Sequence, residues 1–510
     1  MKFRSTLIIF ILIVSFGCSP ISERKQPPPT LEQLAATDLN LNGEQLANAY
    51  CATCHLKPEP DILDKTTWEK SVLPDMRKRM GLYLPEDMGT ALPDDLGIPK
   101  GVYSDFVYIK REDWEKLKDY YLSSAPDLPL AQGQKIFPTQ GIPGFEIIEA
   151  KFDQVYSNLV TMLRVHPQTG ELWLGHRFKT LYVLDFKDDF RVKDSIPTET
   201  APIDIEWRKD GSFDLLTMGL MDPSTDSLGS LTNFSKNASR IIRQHLIRPV
   251  NITYADWNGD GEEDQVVSNF GNHFGKMSLF LSGDSKKEII LKAQPGARRS
   301  IAVDFDQDGD LDVLGMMSQA QEGIYVWINQ GGERFDEKPL LQFQPAFGSS
   351  DFRFEDMNQD GHRDLIIVNG DNADLSQILK KYHGVRIYLN DGEGNFDESW
   401  FYPMYGASGL EVGDFDGDGD MDIFALSFFP SKKDQHPRQD LMYFRQDSLG
   451  SFKPFVLSEK FIGNWLTMTS GDMDQDGDLD LVVGRFEFDD LYKKPTNNWR
   501  PFIYFKNLQN

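Results

Sequence analysis

The sequence predicts a small all-α domain followed by an all-β seven-bladed propeller, and three observations carry that prediction. The stretch C-A-T-C-H at residues 51–55 lies among segments whose apolar residues recur at helical spacing. From about residue 144 the pattern changes to short β-branched and aromatic runs punctuated by Asp and Gly. Within that second part a nine-residue acidic motif occurs five times, about once every 50 residues.

The chain opens with Lys2 and Arg4, an apolar run from Thr6 to Phe16, and small residues around Cys18 in S-F-G-C. This is the layout of a signal peptide over residues 1–17, and the run is shorter than the roughly 20 residues that a membrane-spanning helix needs. A cysteine directly after Gly17 resembles the lipobox of bacterial lipoproteins. The resemblance implies that Cys18 is the lipidated first residue of the mature protein, anchored in the bacterial cell envelope, at the outer membrane rather than the inner. The alternative is an ordinary secretory signal in which Cys18 is discarded. Residues 18–40, with the Pro-rich K-Q-P-P-P-T, then form a flexible tether.

Cysteine counting narrows the chemistry of residues 41–125. With Cys18 set aside, only Cys51 and Cys54 remain, too few for a disulfide framework or for a zinc site built on thiolates. C-x-x-C-H is the attachment signature of haem c: the two thiols add to the porphyrin vinyl groups and the adjacent imidazole, here His55, reaches the iron. A thioredoxin-like dithiol would need a βαβ surround, and residues 20–130 show none. Leu46, Ala47 and Tyr50 before the motif, and Trp114, Leu117 and Tyr121 in R-E-D-W-E-K-L-K-D-Y-Y, fall on helical faces, the second ending at Ala125-Pro126. With a middle helix from Thr66 to Arg79, the region resembles a class I cytochrome c domain, in which the first and last helices grip the haem. That resemblance implies one covalent haem and a methionine as sixth ligand. T-T-W-E-K-S-V-L-P-D-M resembles a segment of such domains and favours Met76, with Met80 and Met88 as alternatives. Residues 126–143 link this region to the repeats.

The five acidic segments read D-x-[DN]-x-D-G-x-x-D. Positions 1, 3, 5 and 9 are Asp256, Asn258, Asp260 and Asp264; then Asp304, Asp306, Asp308 and Asp312; Asp356, Asn358, Asp360 and Asp364; Asp414, Asp416, Asp418 and Asp422; and Asp472, Asp474, Asp476 and Asp480. Oxygen ligands at that spacing, with a backbone carbonyl at position 7, can wrap one calcium ion, and glycine at position 6 permits the tight turn. An EF-hand would require a glutamate at position 12, where Val267, Gly315, Ile367, Ala425 and Val483 stand, and helices where β-branched strands follow. The position-6 glycines are 48, 52, 58 and 58 residues apart. Two weaker copies precede them: E-W-R-K-D-G-S-F-D, with Arg208 at a ligand position, and V-H-P-Q-T-G-E-L, with Gly170 in the same turn; these are expected to hold no ion.

Seven such units predict a seven-bladed propeller over residues 144–510, its ring closed by G-F-E-I-I-E-A-K-F near residue 144. The acidic loops resemble the FG-GAP or VCBS repeats of integrin-α-like propellers, which implies up to five structural Ca²⁺. The charge agrees: the five loops hold 23 of the 79 acidic residues of a chain with net charge −26, so five Ca²⁺ would offset 10 of those charges. So acidic a chain argues against nucleic acid as a partner, because phosphate recognition needs a basic surface.

The loops on the other face of the ring are long and varied, and they are the expected site for a redox partner protein or a small-molecule or glycan ligand. His273, Asn372, Asp374, Tyr382, His383, Phe428, Phe429 and His436 are the candidates there. No nucleophile–base order, P-loop or dinucleotide-binding glycine pattern stands out. The sequence therefore points to an envelope-anchored electron-transfer protein whose propeller binds a partner or ligand. The alternatives are a catalytic oxidoreductase propeller that passes substrate electrons to the haem, and an integrin-like or lectin-like binding module.

Overall fold

The computed structural model describes residues 29–37, 40–87, 100–152, 156–236, 238–282, 287–371, 378–431, 437–461, 463–492 and 499–509. Cys18, Met88, Asn372, Asp374 and His436 lie outside the described residues.

The first part is helical. Short α1 (Leu31–Ala35) precedes α2 (Gly43–Tyr50), which begins in a capping box between Asn42 and Gln45. The expected middle helix runs as α3 (Lys65–Thr67), a π-helical stretch Trp68–Val72, and α4 (Leu73–Arg79). Last comes α5 (Arg111–Ser124), which ends before Pro126. Leu46, Ala47 and Tyr50 of α2 and Trp114, Leu117 and Tyr121 of α5 are all buried, as their spacing predicts. The two helices touch at a glycine: a Cβ on Gly43 would stand 2.2 Å from the Lys116 carbonyl oxygen, so a larger residue would force them apart.

The rest is an all-β seven-bladed propeller. Seven antiparallel sheets succeed one another, at residues 160–197, 202–246, 249–292, 297–342, 349–403, 407–456 and 465–507, here blades 1 to 7. Each has four antiparallel strands, and the outer strand of blade 7 comes from the opposite end of the propeller sequence: Phe145–Glu149 pairs antiparallel with Phe502–Asn507. This closure pairs the edge that Phe502–Asn507 would otherwise leave open and ties the two ends of the propeller sequence into one blade. Each blade junction holds its own apolar core; between blades 3 and 4, for example, Met277 and Leu279 meet Val313 and Tyr325.

A polar chain lies inside the ring of blades. The innermost strands carry polar side chains that join neighbouring blades: Arg164 Nη2 donates to Asp204 (2.7 Å), Asn251 Nδ2 to Asp204 (3.1 Å), and the Ser300 amide to Asn251 (2.9 Å). The chain continues through Arg299 to Asp351 (2.6 Å), Arg353 to Glu411 (2.9 Å) and Ser470 to Glu411 (3.4 Å). Burial alone would raise the Asp351 carboxyl, but Arg299, Arg353 and Arg298 hold it down to about 2.

The segment between helices and propeller is fastened along its length. Gln132 donates to the His383 carbonyl (2.9 Å), Lys135 to the Pro403 carbonyl (2.8 Å) and to Gln439 (2.9 Å), and Tyr402 to the Ile136 carbonyl (2.9 Å). Thr139–Gln140 then adds a parallel strand to blade 6.

The ring closure and the polar chain can each be tested by one substitution. Phe145, on the closing strand, packs against Phe415, Phe424, Tyr443 and Phe505 at centroid distances of 5.6–6.4 Å. Phe145→Ala should cost about 3 kcal/mol in urea unfolding. Asp351→Asn leaves the partly buried Arg299 without its carboxylate and Arg353 with Glu411 alone, and should cost about 3 kcal/mol at neutral pH. Because the folded-state carboxyl titrates below its unfolded value, its contribution is complete above about pH 4 and is lost as the pH falls through 2. The stability gap between wild type and variant should close over that range.

Candidate functional site

The acidic loops join the first and second strands of their blades, so all five emerge on one face. Their backbones are nearly identical. The position-6 glycines have φ from +87° to +101°, the left-handed region expected of them. Position 4 is also left-handed, at Gly259 and Gly417 but also at Gln307, Gln359 and Gln475 with φ of 60–65°. The motif gave no sign of this, because glutamine rarely adopts that conformation.

Within each loop the aspartates divide into two kinds. The position-1 carboxylates accept the position-6 amide, as in Gly261 to Asp256 (2.8 Å), and the position-5 carboxylates accept the position-7 amide, as in Glu262 to Asp260 (2.8 Å). The position-9 aspartates are fully buried, and both oxygens accept backbone N–H bonds. Asp264 takes the amides of Trp257 (2.9 Å) and Ser282 (2.6 Å); Asp312 takes those of Phe305 (2.8 Å) and Asn329 (2.7 Å). They tie the loop to the end of the third strand.

Three groups of carboxylates are close enough to share a cation: Asp304, Asp306 and Asp308; Asp414, Asp416 and Asp418; and Asp472, Asp474 and Asp480. Asp414 Oδ1 and Asp474 Oδ1 are buried and meet no hydrogen-bond donor among the described residues. Burial raises the Asp422 carboxyl to about 7 in spite of bonds from Tyr443 (2.6 Å) and the Gln446 amide (2.8 Å). Anionic oxygens that crowd together without donors fit a divalent cation. In the loops with asparagine at position 3 the side-chain amide relieves part of this charge, as Asn258 donates to Asp260 (2.9 Å) and Asn358 to Asp360 (2.8 Å).

In blade 2 a side chain supplies a positive charge to the loop. Arg208 at position 3 donates to Asp214 at position 9 through Nε (2.9 Å) and Nη2 (2.6 Å) and lies 3.8 Å from the Tyr254 ring centroid. Tyr254 and Asn233 complete the shell of Asp214 at 2.9 and 2.7 Å. The guanidinium supplies the positive charge of that loop.

The C-A-T-C-H turn comes directly after α2 as a 3₁₀ turn, Cys51–Thr53. Both thiols are free. His55 Nδ1 lies 2.8 Å from the Leu56 carbonyl oxygen, which can only accept, so Nδ1 carries the hydrogen of that bond, and burial lowers the pKa of the ring. Tyr121 of α5 donates to the Pro58 carbonyl (2.8 Å) and packs against Trp68 with the rings tilted at 44° and 4.5 Å between centroids; Trp68 Nε1 donates to the Pro60 carbonyl (2.8 Å). Met76 and Met80 both pack in the helical core, Met80 being the more buried. Two free thiols and a backbone-anchored imidazole are a donor set that fits a covalently attached haem.

This turn faces the propeller. Gln321, in the loop between the second and third strands of blade 4, donates from Nε2 to the Cys54 carbonyl (3.1 Å). The Glu59 amide donates to Gln344 (2.8 Å), Lys381 pairs with Asp61 (2.6 Å), and Tyr382 donates to the Ile62 carbonyl (3.3 Å). Tyr382 stacks on Phe347 at 4.4 Å and belongs to the helical core, where Ala346, Phe347 and Ile378 also pack. The helices therefore sit on blades 4 and 5, on the face opposite the acidic loops.

The sequence candidates on that face are dispersed. Tyr382 and His383 are buried, Tyr382 beneath the helices. Phe428 and Phe429 pack on each other at 4.9 Å, with Phe486 and Phe488 of blade 7 beside Phe428. His273 belongs to the second-to-third loop of blade 3. Sequence reasoning did not find Gln321, Gln344 or Lys381, because nothing local marks a contact between residues 267 to 320 positions apart.

Residues 304–367 and 356–425 match the FG-GAP-like repeat family, so blades 4 to 6 carry FG-GAP repeats. Among solved structures the chain is similar to the β-propeller domain of Cps50 (Swd1) from Myceliophteria thermophila, with 10% identity and a TM-score of 0.44 over 71% of this chain and 99% of that one. It is also similar to a chain in an S. cerevisiae structure of Dbp5 bound to Nup159, Gle1, IP6 and ADP, with 9% identity and a TM-score of 0.43 over 74% of this chain and 99% of that one. No curated protein matches the chain.

The two kinds of loop aspartate should respond differently to substitution. Asp312→Ala removes two buried charge-assisted bonds and should cost about 3 kcal/mol with or without calcium. Asp306→Ala, at position 3, should change stability only when calcium is present. Thermal unfolding of each variant with added Ca²⁺ and with a chelator checks both.

Proposed function

We propose that this protein is a c-type cytochrome of the bacterial envelope that transfers electrons through one covalent haem, with a calcium-stabilised propeller that binds a redox partner or ligand. The observation that carries the reading is the C-A-T-C-H turn: two free thiols three residues apart and a His55 ring oriented by the Leu56 carbonyl, between two helices joined at Gly43. Cys51 and Cys54 would hold the porphyrin and His55 the iron. Met76 would complete the coordination, with Met80 as the alternative among the described residues and Met88 outside them. The bound haem supplies a one-electron centre. Trp68, Tyr121 and Leu117 pack the turn against α5 and exclude water from that side. Cys18 would tether the molecule to the outer membrane.

The carboxylate groups in three of the acidic loops favour bound Ca²⁺, and the shared motif extends the proposal to up to five ions, which would stabilise the ring by binding only its folded form. A binding role for the propeller is favoured by the side chains on its open half: Phe178, Leu220, Phe274 and Tyr492 are exposed by 42–90% in loops beside the face that carries the helices.

Two measurements test this reading. Intact mass of the chain made with haem-attachment machinery should show one added haem, absent from a Cys51→Ala/Cys54→Ala double variant; a wild-type chain without added mass would overturn the haem assignment. Chelation should lower the thermal midpoint by several degrees, reversibly on adding Ca²⁺; an unchanged midpoint would overturn the calcium assignment.

A further inference from the structure

We infer that Gln321, on blade 4 of the propeller, is a positioning residue for the haem-bearing turn, so that the propeller forms one wall of the haem site. The inference rests on the haem reading above and adds to it the residue through which the two parts of the chain act together. Gln321 Nε2 donates to the carbonyl of Cys54, the residue whose peptide bond leads into His55. Fixing that carbonyl fixes the peptide plane, and with it the direction from which the His55 ring leaves the backbone.

The loop that presents Gln321 is itself tightly held. Ala320 beside it has φ +53°, a left-handed conformation costly for alanine. On the other side Glu322, only 3% exposed, accepts the amides of Ala346 (2.9 Å) and Ser349 (3.0 Å). Tyr325 on the third strand of blade 4 donates to the Gln321 carbonyl (3.0 Å). A strained residue, a buried carboxylate and a tyrosine thus fix the backbone on both sides of one glutamine. The contacts of Gln344, Lys381 and Tyr382 with residues 59–62 hold the following segment against the same face. Anything that shifts the blade 4 loop, including a partner on the neighbouring face, therefore acts on the haem-bearing turn.

Gln321→Met keeps the length and charge of the side chain and removes the donor. In the haem-loaded chain the variant should show a lower reduction potential than wild type, because a loosened turn admits water to the haem edge. In the haem-free chain, Cys51 of the variant should be alkylated several-fold faster, read by mass spectrometry of its peptide. Gln330→Met, in the turn at the opposite end of the same blade, should change neither quantity and controls for effects on blade stability. A Gln321→Met chain with wild-type potential and wild-type alkylation overturns the inference and leaves the haem reading intact. A wild-type chain that takes up no haem overturns that reading instead, and the alkylation rates then decide alone whether Gln321 positions the turn.

Discussion

The propeller depends on one repeated interaction, a buried aspartate at the start of the second strand whose two oxygens accept two backbone amides. In five blades that residue closes the acidic loop and also ties it to the third strand, as Asp364 does with the amides of Met357 (2.9 Å) and Asn390 (2.9 Å). A carboxylate without solvent is costly unless its lone pairs are used. The same group that shapes the loop therefore makes that loop strongly electronegative. Blade 2 keeps the aspartate and neutralises it with Arg208. The alternatives in the other blades are a metal ion, or the partial relief that Asn258 and Asn358 provide.

Around these staples the ring is closed at its rim by strand pairing, and a polar chain from Arg164 to Ser470 joins neighbouring blades near its axis. A scaffold so constrained presents its loops at fixed positions. On one face these are the acidic turns; on the other, the loops of blades 4 and 5 receive the helices, and the segment at residues 132–140 runs fastened over blades 5 and 6. The helical core is completed by Tyr382, Phe347 and Ile378 of the propeller. What happens at the C-A-T-C-H turn is therefore mechanically linked to the propeller.

The parts of this structure that were legible in the sequence are those with a short-range signature. Asp, Gly and β-branched residues at fixed offsets marked the loops, their strands and the number of blades, and 3.6-residue spacing marked α2 and α5. G-F-E-I-I-E was legible as a closing strand because the last repeat lacked one. Long-range partners were not legible. Nothing near Gln321 in the sequence shows that its amide reaches Cys54, and nothing near Tyr382 shows that its ring is buried under another part of the chain rather than facing a ligand. The left-handed Gln307, Gln359 and Gln475 were missed for a different reason: the conformation is imposed by the hydrogen bonds of the loop against the preference of the residue.

The most direct measurement is an anaerobic spectroelectrochemical titration of the full-length, haem-loaded protein, repeated with candidate sugars and alcohols. The account predicts one reversible, one-electron wave in the haem bands that small molecules alone neither reduce nor shift. Haem bands that one of those compounds reduces with no second protein present would contradict the electron-carrier reading and make the propeller the catalyst, and a protein without haem bands would contradict it outright.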